Sequence, residues 1–457
     1  MAELIVAGAG PTGLILALNA AQAGHRVTIL EAADSVGGMA GSFEVAGQRV
    51  DYGSHRLHGL ADPQLLAQLQ DLLGTDLQAR ERNGRILLRR RWVGFPLRPL
   101  DMVRSLPLGF SSRVAKDTLM GPFRWAAGDS FDDAVRSQLG PTVASEFYAP
   151  YARKLYGVES TELTNELAAR RVSARSPLAI VAKALRATRS SGRTFYYPRL
   201  GYGQISERLA EAAVEAGVAI ELSCRVRRVT SSGGVEVEAG NQRFHGDTLF
   251  STIPTAALAD AVSPAPPSVV ANSLGRLRTR AMCLVYLALD RPQFTDFDAH
   301  YFPDDHMAVA RLSEPKNYRS GPDPQGHTVL CAELPCWVGD EVWNGSDEAL
   351  GERVAQELRD AGLPDPGSYD VVSRRLPSVY PVYERSTEAD RVVVDGWRDA
   401  AGPIVSLGRQ GLGVPDNLHH VLAMGQRAAA VLDPGGSFDP VGWAEARRDF
   451  RDHVVED

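Results

Sequence analysis

Three features of the 457-residue sequence predict an α/β fold built on a parallel sheet. The first 31 residues run strand, glycine-rich loop, helix, strand and acid. A β-rich stretch with tight turns follows at 218–253. Late in the chain, a short apolar strand at 404–409 leads into a helical stretch. The first of these is the order of a Rossmann-type unit that binds a dinucleotide.

Each part of that unit has a physical role. Residues 4–7 form a short apolar run, and Gly8-Ala9-Gly10-Pro11-Thr12-Gly13 follows it. Gly8 permits the tight turn, Gly10 lets the backbone approach a pyrophosphate, and Gly13 lets helix and strand pack closely. Thr12 belongs to the same cofactor loop. The helix expected over 14–23 turns its unpaired N–H groups toward the phosphates. The second strand, 27–30, ends in Glu31, placed to accept hydrogen bonds from ribose hydroxyls. Gly37-Gly38 then adds backbone approach to the same diphosphate. The Glu31-to-Gly38 arrangement resembles the FAD-binding signature of the amine oxidase, protoporphyrinogen oxidase and UDP-galactopyranose mutase flavoproteins. The resemblance implies FAD as cofactor.

An FAD domain of this kind is assembled from separated segments. Residues 218–222, 225–230, 235–238 and 242–245 resemble a β-meander inserted in it, with 248–253 returning to the main sheet. In the family, the stretch containing Val226 lies against the adenine. Strand 404–409 ends in Gly408 and Arg409, and a helix from about residue 416 to 431 opens beside Asn417. Its positive end would support negative charge on the reduced flavin. The expected organisation is therefore an FAD domain over 1–84, 196–267 and 386–457. A helical, Arg-rich substrate domain covers 85–195, and a sheet-containing one covers 268–385. The fold class is α/β: a Rossmann-type FAD domain with an inserted meander, plus a mixed helical and antiparallel-sheet substrate domain.

Composition excludes several other classes. The chain is 44% hydrophobic and 23% charged, as in globular proteins with ample core. Its 49 basic and 56 acidic residues give a net charge of −7, without the footprint of a nucleic-acid binder. Four cysteines rule out a disulfide scaffold, and no pair with metal-ligand spacing completes a site. Cys224 and Cys283, in apolar strand-like stretches, read as buried thiols of a reducing cytoplasm. The chain enters a strand at once, without a basic cleavable leader, and no apolar run reaches membrane-spanning length.

Further motifs resemble UDP-galactopyranose mutase, the eukaryotic type in particular, and related bacterial flavoproteins, over nearly the whole chain. They are Asp51-Tyr52-Gly53-Ser54-His55, Tyr151 to Val158, Tyr196 to Gly203, Tyr301 to Asp305, Tyr380-Pro381-Val382-Tyr383, Gly408-Arg409-Gln410-Gly411 and Asn417-Leu418-His419-His420. The resemblance puts His55 beside the flavin as a catalytic group and makes Arg171 and Arg311 a clamp on a substrate diphosphate. Tyr151, Tyr156, Tyr318 and Tyr383 would line a sugar-nucleotide pocket. The alternatives are surface or salt-bridge arginines, core aromatics, a structural histidine and an Asn417 that only caps its helix. The run of seven arginines from Arg80 to Arg98 would attract phosphorylated substrates or form a solvated strand face. His55 and His58 lack a third ligand at metal spacing.

The sequence departs from the mutases at Tyr156, where they carry Trp, at Val414-Pro415, where they carry an aromatic pair, and at His419, where Asp is usual. The implied reaction is ring-contracting isomerisation of a nucleotide-linked sugar, with reduced flavin as nucleophile and NAD(P)H or another reductant priming it. The alternatives are an FAD-dependent oxidase or desaturase acting on a sugar-like or other small biosynthetic intermediate, and a non-catalytic flavin-binding module.

Overall fold

The computed structural model describes residues 1–59, 61–95, 107–124, 128–172, 194–451 and 453–455. Among these residues a five-stranded parallel sheet runs Ala219–Glu221, Arg26–Leu30, Glu3–Ala7, Thr248–Ser251, Ile404–Ser406. Its strands come from three distant parts of the chain. Leu4 to Ala7 are buried at the centre, as parallel strands covered on both faces must be. Helices Pro11–Gln22 and Leu418–Ala430 pack together beside it. Gly425 permits the contact, since a Cβ there would stand 2.5 Å from Ile15 Cγ2.

The meander is Val226–Ser231, Val235–Ala239 and Gln242–Gly246, antiparallel, with a register shift between Val226 and Arg228. The 218–222 run is corrected. Its strand, Ala219–Glu221, pairs parallel with Arg26–Leu30 as the edge of the main sheet. Two-residue alternation cannot distinguish these partners, because both present one apolar face.

The substrate side rests on a seven-stranded sheet ordered Tyr369–Pro381, Thr279–Leu289, Thr328–Cys336, Arg311–Ser313, Ala299–Tyr301, Gly84–Leu88, Arg91–Phe95. All nine residues of Thr328–Cys336 are buried. The expectation of a helical stretch from residue 85 is corrected at its start. The hairpin 84–95 adds two strands here, held in part by Arg85, whose guanidinium lies 4.4 Å from the Trp92 ring and 4.3 Å from Phe297. Arg98 lies outside the described residues. Helices follow at Leu108–Arg124, Phe131–Leu139, Ala149–Tyr156 and Asn165–Arg171. Ser130 starts the second with a capping box on Asp133. Thr164 caps the last, which carries Arg171 at its end. Among the described residues no helix is long and apolar enough to cross a membrane. All four cysteines are free and buried.

Candidate active site

A cavity of about 500 Å³ runs from the N-terminal glycine loop to the seven-stranded sheet. At the loop end, Gly8 has φ +104°, and its N–H donates to Leu30 O at 2.9 Å. A Cβ on Gly8 would stand 2.4 Å from Thr252 Oγ1, and one on Gly13 would stand 2.2 Å from Gly8 O. Gly10 differs: a Cβ there would meet nothing within 4 Å among the described residues. Gly8 and Gly13 therefore let the chain pack on itself, while Gly10 leaves open cavity at the N-terminus of helix Pro11–Gln22. Anions favour that position, because the first helical N–H groups have no intrahelical acceptor.

Glu31 lies at the cavity with Oε2 accepting from Ala9 N at 2.7 Å and Oε1 from Ala33 N at 2.8 Å. Each oxygen keeps further acceptor capacity for a ribose hydroxyl. Thr12, Gly38, Val226, Gly408, Arg409 and Asn417 also line the cavity. Gly13 and Gly37 stand behind it. Gly37 shapes the loop, with φ +110° and its N–H on Ala9 O at 2.8 Å. The glycine loop, the helix N-terminus and Glu31 fit an FAD diphosphate and ribose.

His55 reaches the cavity through the turn after strand Gln48–Asp51. Buried Asp51 organises that turn: its carboxylate accepts from Ser42 Oγ at 2.6 Å, from Tyr202 N at 2.9 Å, and from the Tyr197 hydroxyl. His55 Nε2 lies 3.0 Å from both Met39 O and Tyr52 O. Two carbonyls can only accept, so Nε2 carries the proton, and in the neutral ring Nδ1 is an acceptor. Burial lowers the pKa of His55, outweighing the nearby Asp51 and Glu333 carboxylates. The ring stacks on Tyr202 with centroids 5.1 Å apart. His55 thus stands at the cavity with its Nε2 proton committed to the backbone.

The two expected clamp arginines both line the cavity, in different states. Arg311 forms a fork on Glu333, with Nε to Oε1 at 2.9 Å and Nη2 to Oε2 at 2.8 Å. Glu333 Oε1 also accepts from Ser54 N at 2.7 Å. Arg171 lies 5.1 Å from the Tyr380 ring, and Arg409 lies 5.3 Å from the same ring. Arg409 donates to Val379 O at 2.7 Å and Asp416 O at 3.2 Å, and its Nε is buried without a hydrogen-bond partner among the described residues. Burial, reinforced by Arg171, lowers the pKa of Arg409.

The four expected pocket tyrosines stand outside the cavity lining. Tyr156 is buried against Tyr380, with ring centroids 6.2 Å apart. Tyr151 stacks on Phe147. The Tyr318 hydroxyl accepts from Arg56 Nη2 at 3.2 Å, and the Tyr383 hydroxyl donates to Gly413 O at 2.9 Å. They pack in or against the core, and the hydroxyls of Tyr318 and Tyr383 are engaged in structure. Tyr52, Tyr202 and Tyr380 line the cavity instead. Glu333, Arg56 and Asp416 are further wall residues that sequence reasoning missed. The Tyr380-Pro381 motif was the available signal for Tyr380. The pairing of Arg311 with Glu333 had none, because it crosses two strands.

One group of possible metal ligands exists among the described residues: Asp416, His420 and His453. The two imidazoles stack with centroids 4.1 Å apart and 13° between planes. Their in-plane lone pairs therefore do not converge, and Arg170 Nη1 lies 3.3 Å from Asp416 Oδ1.

The family model of the flavin-containing amine oxidoreductases matches residues 11–399. The chain belongs to this family. It is an FAD-dependent enzyme. The chain is 39% identical over 75 residues to probable polyamine oxidase 4 of Arabidopsis thaliana, an alignment that spans 15% of that relative and 16% of this chain. Solved structures match far more of it. Reduced UDP-galactopyranose mutase covers all of both chains with a TM-score of 0.80 at 20% identity. A protein assigned as a protoporphyrinogen oxidase from Exiguobacterium sp. 255-15 has a TM-score of 0.71 at 21% identity, covering 94% of this chain and 98% of its own. Cyclohexylamine oxidase of Brevibacterium oxydans IH-35A has a TM-score of 0.66 at 16% identity, covering 98% and 100%. At these identities the likeness concerns the fold.

Proposed function

We propose that this flavoenzyme acts on an anionic, nucleotide-linked sugar and rearranges its ring, as a mutase does. The observation that carries the reading is the charge of the cavity wall. Among the described residues, Arg56, Arg82, Arg171, Arg225, Arg311 and Arg409 line it, against the acids Glu31, Glu333 and Asp416. The FAD diphosphate takes up part of that excess. A cationic amine, the substrate that the family name suggests, would meet repulsion on the remainder.

Arg171 and Arg409, both beside the Tyr380 ring, are the natural seat for a substrate diphosphate. Guanidinium groups bind phosphate oxygens in charge-assisted pairs, and the buried Arg409 Nε gains an acceptor there. Arg311 is a second support, shared with Glu333. Neutral His55 presents Nδ1 as an acceptor for a donor on the flavin or the sugar. Tyr52 and Tyr202 form apolar walls beside it. Bound FAD supplies the chemistry itself: a nucleophile when reduced, a hydride acceptor when oxidised. A reductant such as NAD(P)H would maintain the active form of a mutase.

A net oxidation is the second reading. It is favoured by Glu333, which neutralises one of the two arginines expected to hold a diphosphate. Anaerobic incubation with nucleotide sugars, with and without dithionite, separates the two. Isomer formed only with reduced flavin, which stays reduced, supports the mutase. Stoichiometric bleaching of oxidised flavin supports the oxidoreductase.

A further inference from the structure

The last described residues fold back onto the cavity through three contacts. Val455 is buried and lines the cavity wall. Its N–H donates to Arg170 O at 2.7 Å. That carbonyl belongs to the final turn of helix Asn165–Arg171, where helical carbonyls lack an intrahelical donor. His453 Nδ1 lies 2.8 Å from Asp416 Oδ2. Arg170 joins these contacts, with Nη1 3.3 Å from both Asp416 Oδ1 and Phe450 O. The side chains of Arg170 and Asp416 are 4% and 0% exposed, so this ion pair is shielded from water.

We propose that the segment carrying Phe450, His453 and Val455 is a strap that completes the cavity wall, and that His453 is a positioning residue for Arg171. The route is short. His453 holds Asp416, Asp416 holds the Arg170 side chain, and Val455 caps the Arg170 carbonyl. Arg171 is the next residue, at the end of the same helix. A fixed last turn keeps its guanidinium beside Tyr380 without an ordering cost at the moment of binding. His420 stacks on the His453 ring. Burial, together with His419, His453 and His58, brings its pKa down to about 2, so it adds no charge to the junction. The effect on ligand binding rests on the reading of Arg171 as an anion contact; the strap itself does not.

The test uses FAD-loaded protein with His453→Ala and His453→Asn. Asparagine places a side-chain N–H where the imidazole Nδ1 stands. Hydrogen exchange is measured in peptides covering 165–172 and 450–455, and inorganic pyrophosphate binding by calorimetry. His453→Ala is expected to speed exchange in both peptides and to weaken pyrophosphate about fivefold, the scale of one lost hydrogen bond, with FAD content unchanged. His453→Asn is expected to restore both. Unchanged exchange in His453→Ala would overturn the strap. Faster exchange at 450–455 alone, with 165–172 and pyrophosphate affinity unchanged, would overturn the positioning role. If the parent does not bind pyrophosphate, the anion reading of Arg171 fails, and exchange at 165–172 alone decides the strap.

Discussion

Gly10 and Gly13, three residues apart, respond to opposite constraints. A Cβ at Gly13 would collide with Gly8 O, whereas one at Gly10 would enter open cavity. Gly13→Val is therefore expected to abolish soluble folded protein, while Gly10→Val should yield folded protein with little or no FAD. Far-ultraviolet circular dichroism and flavin absorbance check the pair, and full flavin occupancy in Gly10→Val would remove the loop from the cofactor site. Both roles were legible in the sequence, because the glycine loop is local and its neighbours are contiguous. Lys154 was not. It is buried, with Nζ donating to Phe302 O and Val309 O. Burial, only partly offset by nearby Glu357, Asp304 and Asp305, brings its pKa from 10.5 down to about 7. Between those values the unfolded chain holds a proton that the fold lacks. Stability contributed by neutral Lys154 is thus present above 10.5, declines as pH falls through this window, and is constant below about 7. The Tm of the parent relative to Lys154→Met should accordingly rise as pH rises across the window. A pH-independent difference would show Lys154 charged in the fold.

At the scale of elements, the helix ends decide the site. Helix Leu418–Ala430 opens at Asn417 on the cavity. An anion near a helix N-terminus gains about 0.3–1 kcal/mol when exposed, and up to ~2 when partly buried. Asn417→Leu should lower the flavin reduction potential, because the anionic reduced form loses that support. Potentiometric titration reads this, and an unchanged potential would leave Asn417 as a cap only. Arg171, at the end of helix Asn165–Arg171, and Arg409, in Gly408–Leu412, meet at Tyr380. Arg171→Ala and Arg409→Ala should each weaken UDP binding by about 2–5 kcal/mol if the pair is desolvated by ligand, and FAD content should stay unchanged in Arg171→Ala. The sequence indicated these elements through their apolar runs and glycines. It did not show that 219–221 joins the main sheet, or that Arg311 pairs with Glu333. Strand partners and cross-strand ion pairs depend on which distant segments pack together, and local pattern carries no record of that.

For the whole molecule, net charge and site charge point in opposite directions. The chain carries −7, yet its cavity wall is rich in arginine. Arg311 on the seven-stranded sheet, Arg171 at the end of helix Asn165–Arg171 and Arg409 after strand Ile404–Ser406 converge on one cavity. The composition of that wall was only partly legible: Arg171 and Arg311 came from motifs, while Arg56, Glu333 and Asp416 emerge only from assembly. Substrate association should therefore slow steeply with added salt, as steering by a cationic cavity requires. Stopped-flow binding of UDP at two ionic strengths measures it. The most direct test of the central claim is anaerobic turnover of dithionite-reduced enzyme on a panel of UDP-sugars, followed by chromatography of the products. The expected product is a ring isomer of one UDP-sugar, formed over many turnovers with the flavin still reduced at the end. No binding of any UDP-sugar, with oxidised flavin bleached instead by a cationic amine, would contradict it.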